Sequence, residues 1–175
     1  MVSRMPLIAP QVMPVLDQNF RPAVLANRHF LETVSHDGIP LIFGIEQEDN
    51  KVSRYETQIL PITHPLADQN FHYVERVLKF LLWQRGGHHI FIGGPAGIGE
   101  YLRRVYSSNG ERQFDYHFMG HLVYQRPFTI EACTPEDVPP ACENGKMIGN
   151  HLEGKRIGFD LGASDRKVSV VIDGE

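Results

Sequence analysis

The chain has 175 residues, enough for one ordinary domain or for one domain and the start of another. Apolar residues make up 42% and charged residues 22%, which is the composition of a globular protein with a core to bury and excludes a disordered tail. Seventeen Lys and Arg against twenty-one Asp and Glu give a net charge of −4 without a basic run, so no nucleic-acid partner is expected, and no segment approaches the length of a membrane span.

Residues 1–20 read as an irregular lead broken by prolines, without the uninterrupted apolar stretch of a signal peptide. A cytoplasmic location is therefore the expectation. An α/β unit of unknown role is expected over 21–132. Its first helix follows Pro22, with Val24, Leu25 and Leu31 as the apolar positions. Asp37-Gly38 marks a turn. A hairpin is expected over 41–60: Leu41, Phe43 and Ile45 alternate on the first strand, and Val52, Tyr55, Thr57 and Ile59 supply the second. The stretch from Asp68 to Gly87 is the clearest helix, since Val74, Val77, Leu78, Leu81 and Leu82 form one stripe. Arg85 suits the last turn and Gly86 the stop.

A short strand at His89 to Ile92 leads into GGPAGIGEYLRR, with a helix from Pro95 or Ala96 that carries Ile98, Leu102 and Val105 on one face. Backbone N–H groups of such a glycine-rich turn can hold a phosphate at a helix N-terminus. The spacing of Gly93, Gly94, Gly97 and Gly99 nevertheless departs from both the dinucleotide fingerprint and the P-loop, so a tight packing turn is the preferred reading. HLVYQRPFTI is expected to form the next strand, and the overlapping aromatic-rich FDYHFMGHLVYQRPF to pack in the core. His88 and His89 would face opposite sides of a strand and are expected to be ordinary histidines, as are His64 and His72. His117 and His121 would share a face on a helix. Residues 133–150 read as a polar linker. Its two cysteines, Cys133 and Cys142, are expected to be reduced, and no zinc site is expected.

The final segment, 151–175, carries the most specific pattern. In RIGFDLGASDRKVSVVIDGE, Ile157, Phe159 and Leu161 point one way, and Gly158, Asp160 and Gly162 the other. Two glycines leave the surface around one carboxylate open. Such an acid can bind Mg²⁺ directly or through water, and the loop beyond Gly162 offers donors to phosphate, with Ser164 as the hydroxyl and Arg166 and Lys167 as cations. The pattern KVS after an acidic loop also occurs at 51–53, an echo for which chance is the preferred explanation.

At these residues the sequence resembles the first phosphate motif of the actin-like ATPase superfamily, which includes sugar kinases, actin and the heat-shock chaperones. GFDLGAS at 158–164 most resembles the ROK family (repressors, open reading frames and sugar kinases), whose strand reads roughly G-h-D-h-G-G-T-K, with h apolar. Gly158, Asp160 and Gly162 match; Ala163 replaces the second glycine, Ser164 the threonine, and Asp165 stands where the family has lysine. The stretch from Gly86 onward resembles an N-terminal extension of some long ROK-like proteins. The resemblance implies a mixed α/β unit followed by the first β-hairpin of an actin-like (RNase H-like) lobe, with ATP and Mg²⁺ as cofactors and a sugar hydroxyl as phosphoryl acceptor. It implies nucleotide and phosphate contacts at Asp160, Gly162, Ser164 and Lys167, and Mg²⁺ at Asp160. The family's general base, sugar-binding residues and zinc cluster lie downstream of this motif, so the chain alone is expected to phosphorylate nothing. A homo-oligomer is compatible with the resemblance. A non-enzymatic α/β binding module with a hairpin tail is the alternative, and a ROK-type transcriptional repressor ranks third.

Overall fold

In the computed structural model, residues 4–34, 37–143 and 153–175 are described. The chain divides into two compact units, Met1–Glu143 and Asn144–Glu175. The boundary expected near residue 150 lies outside the described residues.

The first unit is mixed α/β. Its elements are α1 (Ala23–Val34), β1 (Ile39–Glu46), β2 (Val52–Ile59), α2 (Gln69–Arg85), β3 (His89–Gly93), α3 (Ala96–Val105), α4 (Gln113–His117) and β4 (Thr129–Cys133). The strands form one sheet in the order β2-β1-β3-β4. β1 pairs antiparallel with β2 and β3, and β3 pairs parallel with β4. A parallel pair needs a long crossover, and α3, α4 and the turn after them supply it.

Alternation sets the two faces of the sheet. Leu41, Phe43, Ile45, Ile90 and Ile92 are buried in the core with Val74, Leu78 and Leu82 of α2 and Ile98 and Leu102 of α3. The α2 stripe read from the sequence is thus the buried face. Gly86 ends α2 at φ 73°, a conformation that costs a glycine nothing, and its N–H reaches the Leu82 carbonyl. The buried Asn70 side chain extends β2 in place of a strand: its Oδ1 accepts from Leu60 N–H at 2.9 Å and its Nδ2 donates to the Leu60 carbonyl at 2.7 Å. On the opposite face of the sheet, residues 134–142 cross β1. Val138 is buried there, Arg54 donates to its carbonyl at 2.9 Å, and Val52 bridges to Cys142.

Three expectations for this unit are corrected. α1 buries Ala26, Phe30 and Val34, whereas Val24 and Leu31 are exposed; Phe30 stacks on Tyr73 at 4.4 Å, and that ring pair sets the helix's rotation. HLVYQRPFTI is not one strand. Phe118–Tyr124 is π-helical, continuing α4, and only Thr129 onward pairs with β3. The aromatic segment is only partly core: Met119 is buried, but Phe114, Leu122 and Val123 are exposed. Among the described residues, no helix is long and apolar enough to cross a membrane.

The second unit is the hairpin of β5 (Lys155–Leu161) and β6 (Arg166–Ile172), joined by four residues. Its open end is closed by Gly154 N–H donating to Asp173 Oδ1 at 3.1 Å and by Asp173 N–H donating to the Gly154 carbonyl.

Candidate functional site

The register of the hairpin places its chemistry. Ile157 pairs with Val170 and Phe159 with Val168, so these side chains, with Leu161 and Ile172, share one face, and all six are exposed. The other face holds Gly158 opposite Ser169 and Asp160 opposite Lys167. Of the residues singled out in the sequence, Asp160 and Lys167 are therefore cross-strand partners, while Gly162 and Ser164 lie in the connecting loop. Lys167 Nζ is 3.2 Å from Asp165 Oδ2 and 3.9 Å from Asp160 Oδ2. All three side chains are well exposed, and surface pairs of this kind add little to stability. The Asp160 carboxylate thus remains accessible. A Cβ at Gly162 would come 2.9 Å from Asp165 Oδ1 and 3.0 Å from its carbonyl oxygen, so a side chain there would crowd the loop. Both KVS stretches lead into the return strand of an antiparallel hairpin, but Lys51 precedes β2 whereas Lys167 lies within β6.

In the glycine-rich turn between β3 and α3, the glycines serve packing. A Cβ at Gly94 would meet Leu41 Cδ1 at 2.7 Å, one at Gly93 would meet Pro135 Cα at 2.9 Å, and one at Gly99 would meet Ala132 Cβ at 2.5 Å. Gly99 thereby lets α3 lie close on β4, where Arg103 Nε also donates to the Ile130 carbonyl. Gly97 alone has open space around it.

The histidines are dispersed. His88 is buried, and its Nε2 has no hydrogen-bond partner. Burial, then the Arg126 charge, holds its pKa below the ordinary 6.5. His89 faces the other side and bridges Glu46 and Glu131 at 2.9 and 3.2 Å. His64 accepts from Leu66 N–H in a turn. His117 and His121 do share a helical face, with ring centroids 5.4 Å apart. Among the described residues, no three His, Cys, Asp or Glu side chains are grouped to hold a metal ion. Cys133 and Cys142 form no disulfide. Burial and the nearby Glu131 and Asp137 raise the Cys133 thiol pKa, which makes it a poor nucleophile.

One further constellation was not anticipated from the sequence. A cavity of about 880 Å³ is lined by Arg4, His72, Glu75, Tyr101, Arg104 and Arg112, among others. Glu75, buried on α2, organises its wall. Arg112 Nε donates to Oε1 at 2.8 Å, Tyr101 Oη to Oε2 at 2.8 Å, and Tyr106 Oη to the Glu75 carbonyl at 3.1 Å. Burial and the hydrogen bond to Glu75 push the Tyr101 phenol well above its usual value, so it stays a donor. His72 Nδ1 accepts from Met5 N–H at 3.1 Å, and the Met5 side chain is buried; together they pin the N-terminal lead beside the cavity. The sequence signal was weak, because the contributing residues are spread over 4, 72–75 and 101–112 and match no spacing motif.

No family model matches the chain, and no curated protein or solved structure matches it either.

Proposed function

We propose that residues 153–175 are the first phosphate-binding hairpin of an actin-like ATPase lobe of the ROK type. On this reading, the protein to which the sequence belongs transfers a phosphoryl group from ATP to a sugar hydroxyl. The observation that supports this best is the division of the hairpin into two unlike faces. Six large apolar side chains on one side are exposed together. Lys155 and Arg166 flank these six at the two ends of the same face. A lone hairpin is at best marginally stable in water, and a mainly apolar face is what a strand pair offers to the core of a larger sheet. The other side is open and polar, with Asp160 between two glycines and Lys167 across from it.

These residues fit Mg²⁺ and a polyphosphate chemically. The exposed Asp160 carboxylate is a hard oxygen ligand, able to take Mg²⁺ directly or through water. Gly162 and Ser164 would present the loop N–H groups and a hydroxyl to phosphate oxygens. Lys167, within reach of Asp160 and Asp165, would add a cation once phosphate competes for it. Mg²⁺, when bound, supplies charge neutralisation at the transferred phosphoryl group. The chain's own part is to position and to stabilise charge. No residue here is assigned the role of general base.

The alternative, a binding module in residues 4–143, draws on a different observation: the first unit has its own continuous core and its own polar cavity. Phosphoryl transfer from MgATP to a panel of sugars, assayed on the product of the whole open reading frame containing these residues, separates the two. Transfer that falls about a hundredfold or more in Asp160→Ala supports the kinase reading. Absence of transfer to any sugar, or transfer unchanged in Asp160→Ala, refutes it.

A further inference from the structure

We propose that the cavity built by α2, α3 and the turn before α4 is a binding site for a small polyhydroxylated phosphomonoester, a sugar phosphate in chemical class, held by Arg4, Arg104 and Arg112. The site lies wholly within the first unit and does not rest on the hairpin reading.

The cavity is lined by three arginines and two carboxylates, those of Glu75 and Glu111. Glu75 is already engaged by Arg112 Nε and Tyr101 Oη. That pairing fixes the Arg112 guanidinium and leaves its terminal amino groups without a protein partner among the described residues. Arg104 lies over the Tyr101 ring at 5.5 Å, and no described carboxylate pairs with it or with Arg4. The three arginines outnumber the two carboxylates of the lining, and Glu75 is already engaged, so the site keeps an excess of positive charge that favours an anion; guanidinium forks match phosphate oxygens in pairs.

His72 adds a hydrogen-bond donor to the lining. The Met5 N–H donates to Nδ1, so Nδ1 carries no proton and the neutral ring holds its proton on Nε2 as a donor. Burial, then the Arg76 charge, lowers the ring's pKa against the opposing pull of Glu75, and the lowered pKa favours the neutral form. The lining therefore combines fixed cations with a neutral donor.

Size and wall chemistry narrow the ligand. About 880 Å³ lies within the usual range for small-molecule sites and far exceeds a phosphate ion alone. Ser107, Asn109 and Glu111 offer polar partners for hydroxyls, and Val105 is the aliphatic residue of the lining. The Tyr101 ring already has Phe71 at 4.7 Å and Arg104 at 5.5 Å as neighbours, which disfavours base stacking and hence a nucleotide.

The test is calorimetric titration of the whole chain with glucose 6-phosphate, inorganic phosphate, glucose and gluconate. The expected result is saturable binding of glucose 6-phosphate, tighter than inorganic phosphate, with no binding of glucose and weaker binding of gluconate. Arg104→Gln should weaken glucose 6-phosphate by about tenfold or more while keeping the thermal transition. Arg28→Gln, on the exposed side of α1, and Asp160→Asn, in the hairpin, should leave the affinity unchanged. No binding of glucose 6-phosphate, equal affinity for gluconate or inorganic phosphate, or an unchanged affinity in a folded Arg104→Gln protein would overturn the proposal. Loss of binding in Asp160→Asn would also overturn it, by moving the site to the hairpin.

Discussion

Two glycines two residues apart on α3 should respond to the same substitution in opposite ways. A Cβ added at Gly99 would lie 2.5 Å from Ala132 Cβ and 3.3 Å from Ala132 Cα, on a strand that cannot yield easily. Carbon atoms in contact prefer about 3.5–4.0 Å, so the overlap exceeds about 1 Å. Overpacking of this kind costs about 1–3 kcal/mol. Gly→Ala within a helix returns up to about 1 kcal/mol. Gly99→Ala should therefore destabilise the protein by about 1–2 kcal/mol, or lower Tm by about 3–6 °C for a chain of this size. Gly97 has nothing within 4 Å, so Gly97→Ala should be neutral or stabilising by up to about 1 kcal/mol. The cycle Gly99→Ala with Ala132→Gly, followed by urea unfolding, should show a favourable coupling of about 1 kcal/mol or more, because removing the second Cβ relieves the overlap. Equal losses at Gly97 and Gly99, or no coupling between 99 and 132, would refute the packing account of this loop.

Asp115 is 2% exposed, accepts from Trp83 Nε1 at 2.7 Å and lies 3.5 Å from Lys79 Nζ. Asp115→Ala should cost about 1–3 kcal/mol and change the emission of Trp83, the sole tryptophan; an unchanged spectrum would contradict this. Asn70→Ala strands the Leu60 N–H and carbonyl in the core and should cost about 2–4 kcal/mol by denaturant unfolding, against a surface-like loss of under about 0.5 kcal/mol if the contact is idle. His72 and His88 are both held below 6.5 in the folded protein, so the unfolded chain binds protons first as pH falls. Stability should be highest above pH 6.5 and decline on acidification through 6.5 toward the lower folded values. Tm measured from pH 8 to pH 5.5 should fall, with a shallower slope in His72→Gln; a flat or rising Tm would refute the assignment.

Much of the first unit was legible because single elements carried strong patterns. The α2 stripe, the Gly86 stop and the alternation of Leu41, Phe43 and Ile45 are local signals, and the structure uses each of them as read. The α1 face was misread because Phe30 is oriented by Tyr73, a partner 43 residues away whose approach no periodicity announces. The π-helical turn at 118–124 was missed because its β-branched and aromatic residues favour strand, while the chain after Tyr124 turns through Gln125 at φ 51° before β4 can begin. The two candidate sites differ in the same way. Asp160 and its glycines form a contiguous pattern of period two and could be named from the sequence. The arginine-lined cavity is assembled from three separate segments, and the residue that organises it, Glu75, sits unremarked among the hydrophobic residues of α2.

The central claim, that Asp160 serves a nucleotide's phosphates through Mg²⁺, is tested most directly by MgATP affinity. The protein from the whole reading frame should bind ATP in a Mg²⁺-dependent manner, about tenfold or more weaker in Asp160→Asn and unchanged in Arg104→Gln. Equal MgATP affinity in the original and Asp160→Asn proteins, or binding indifferent to Mg²⁺, would contradict it.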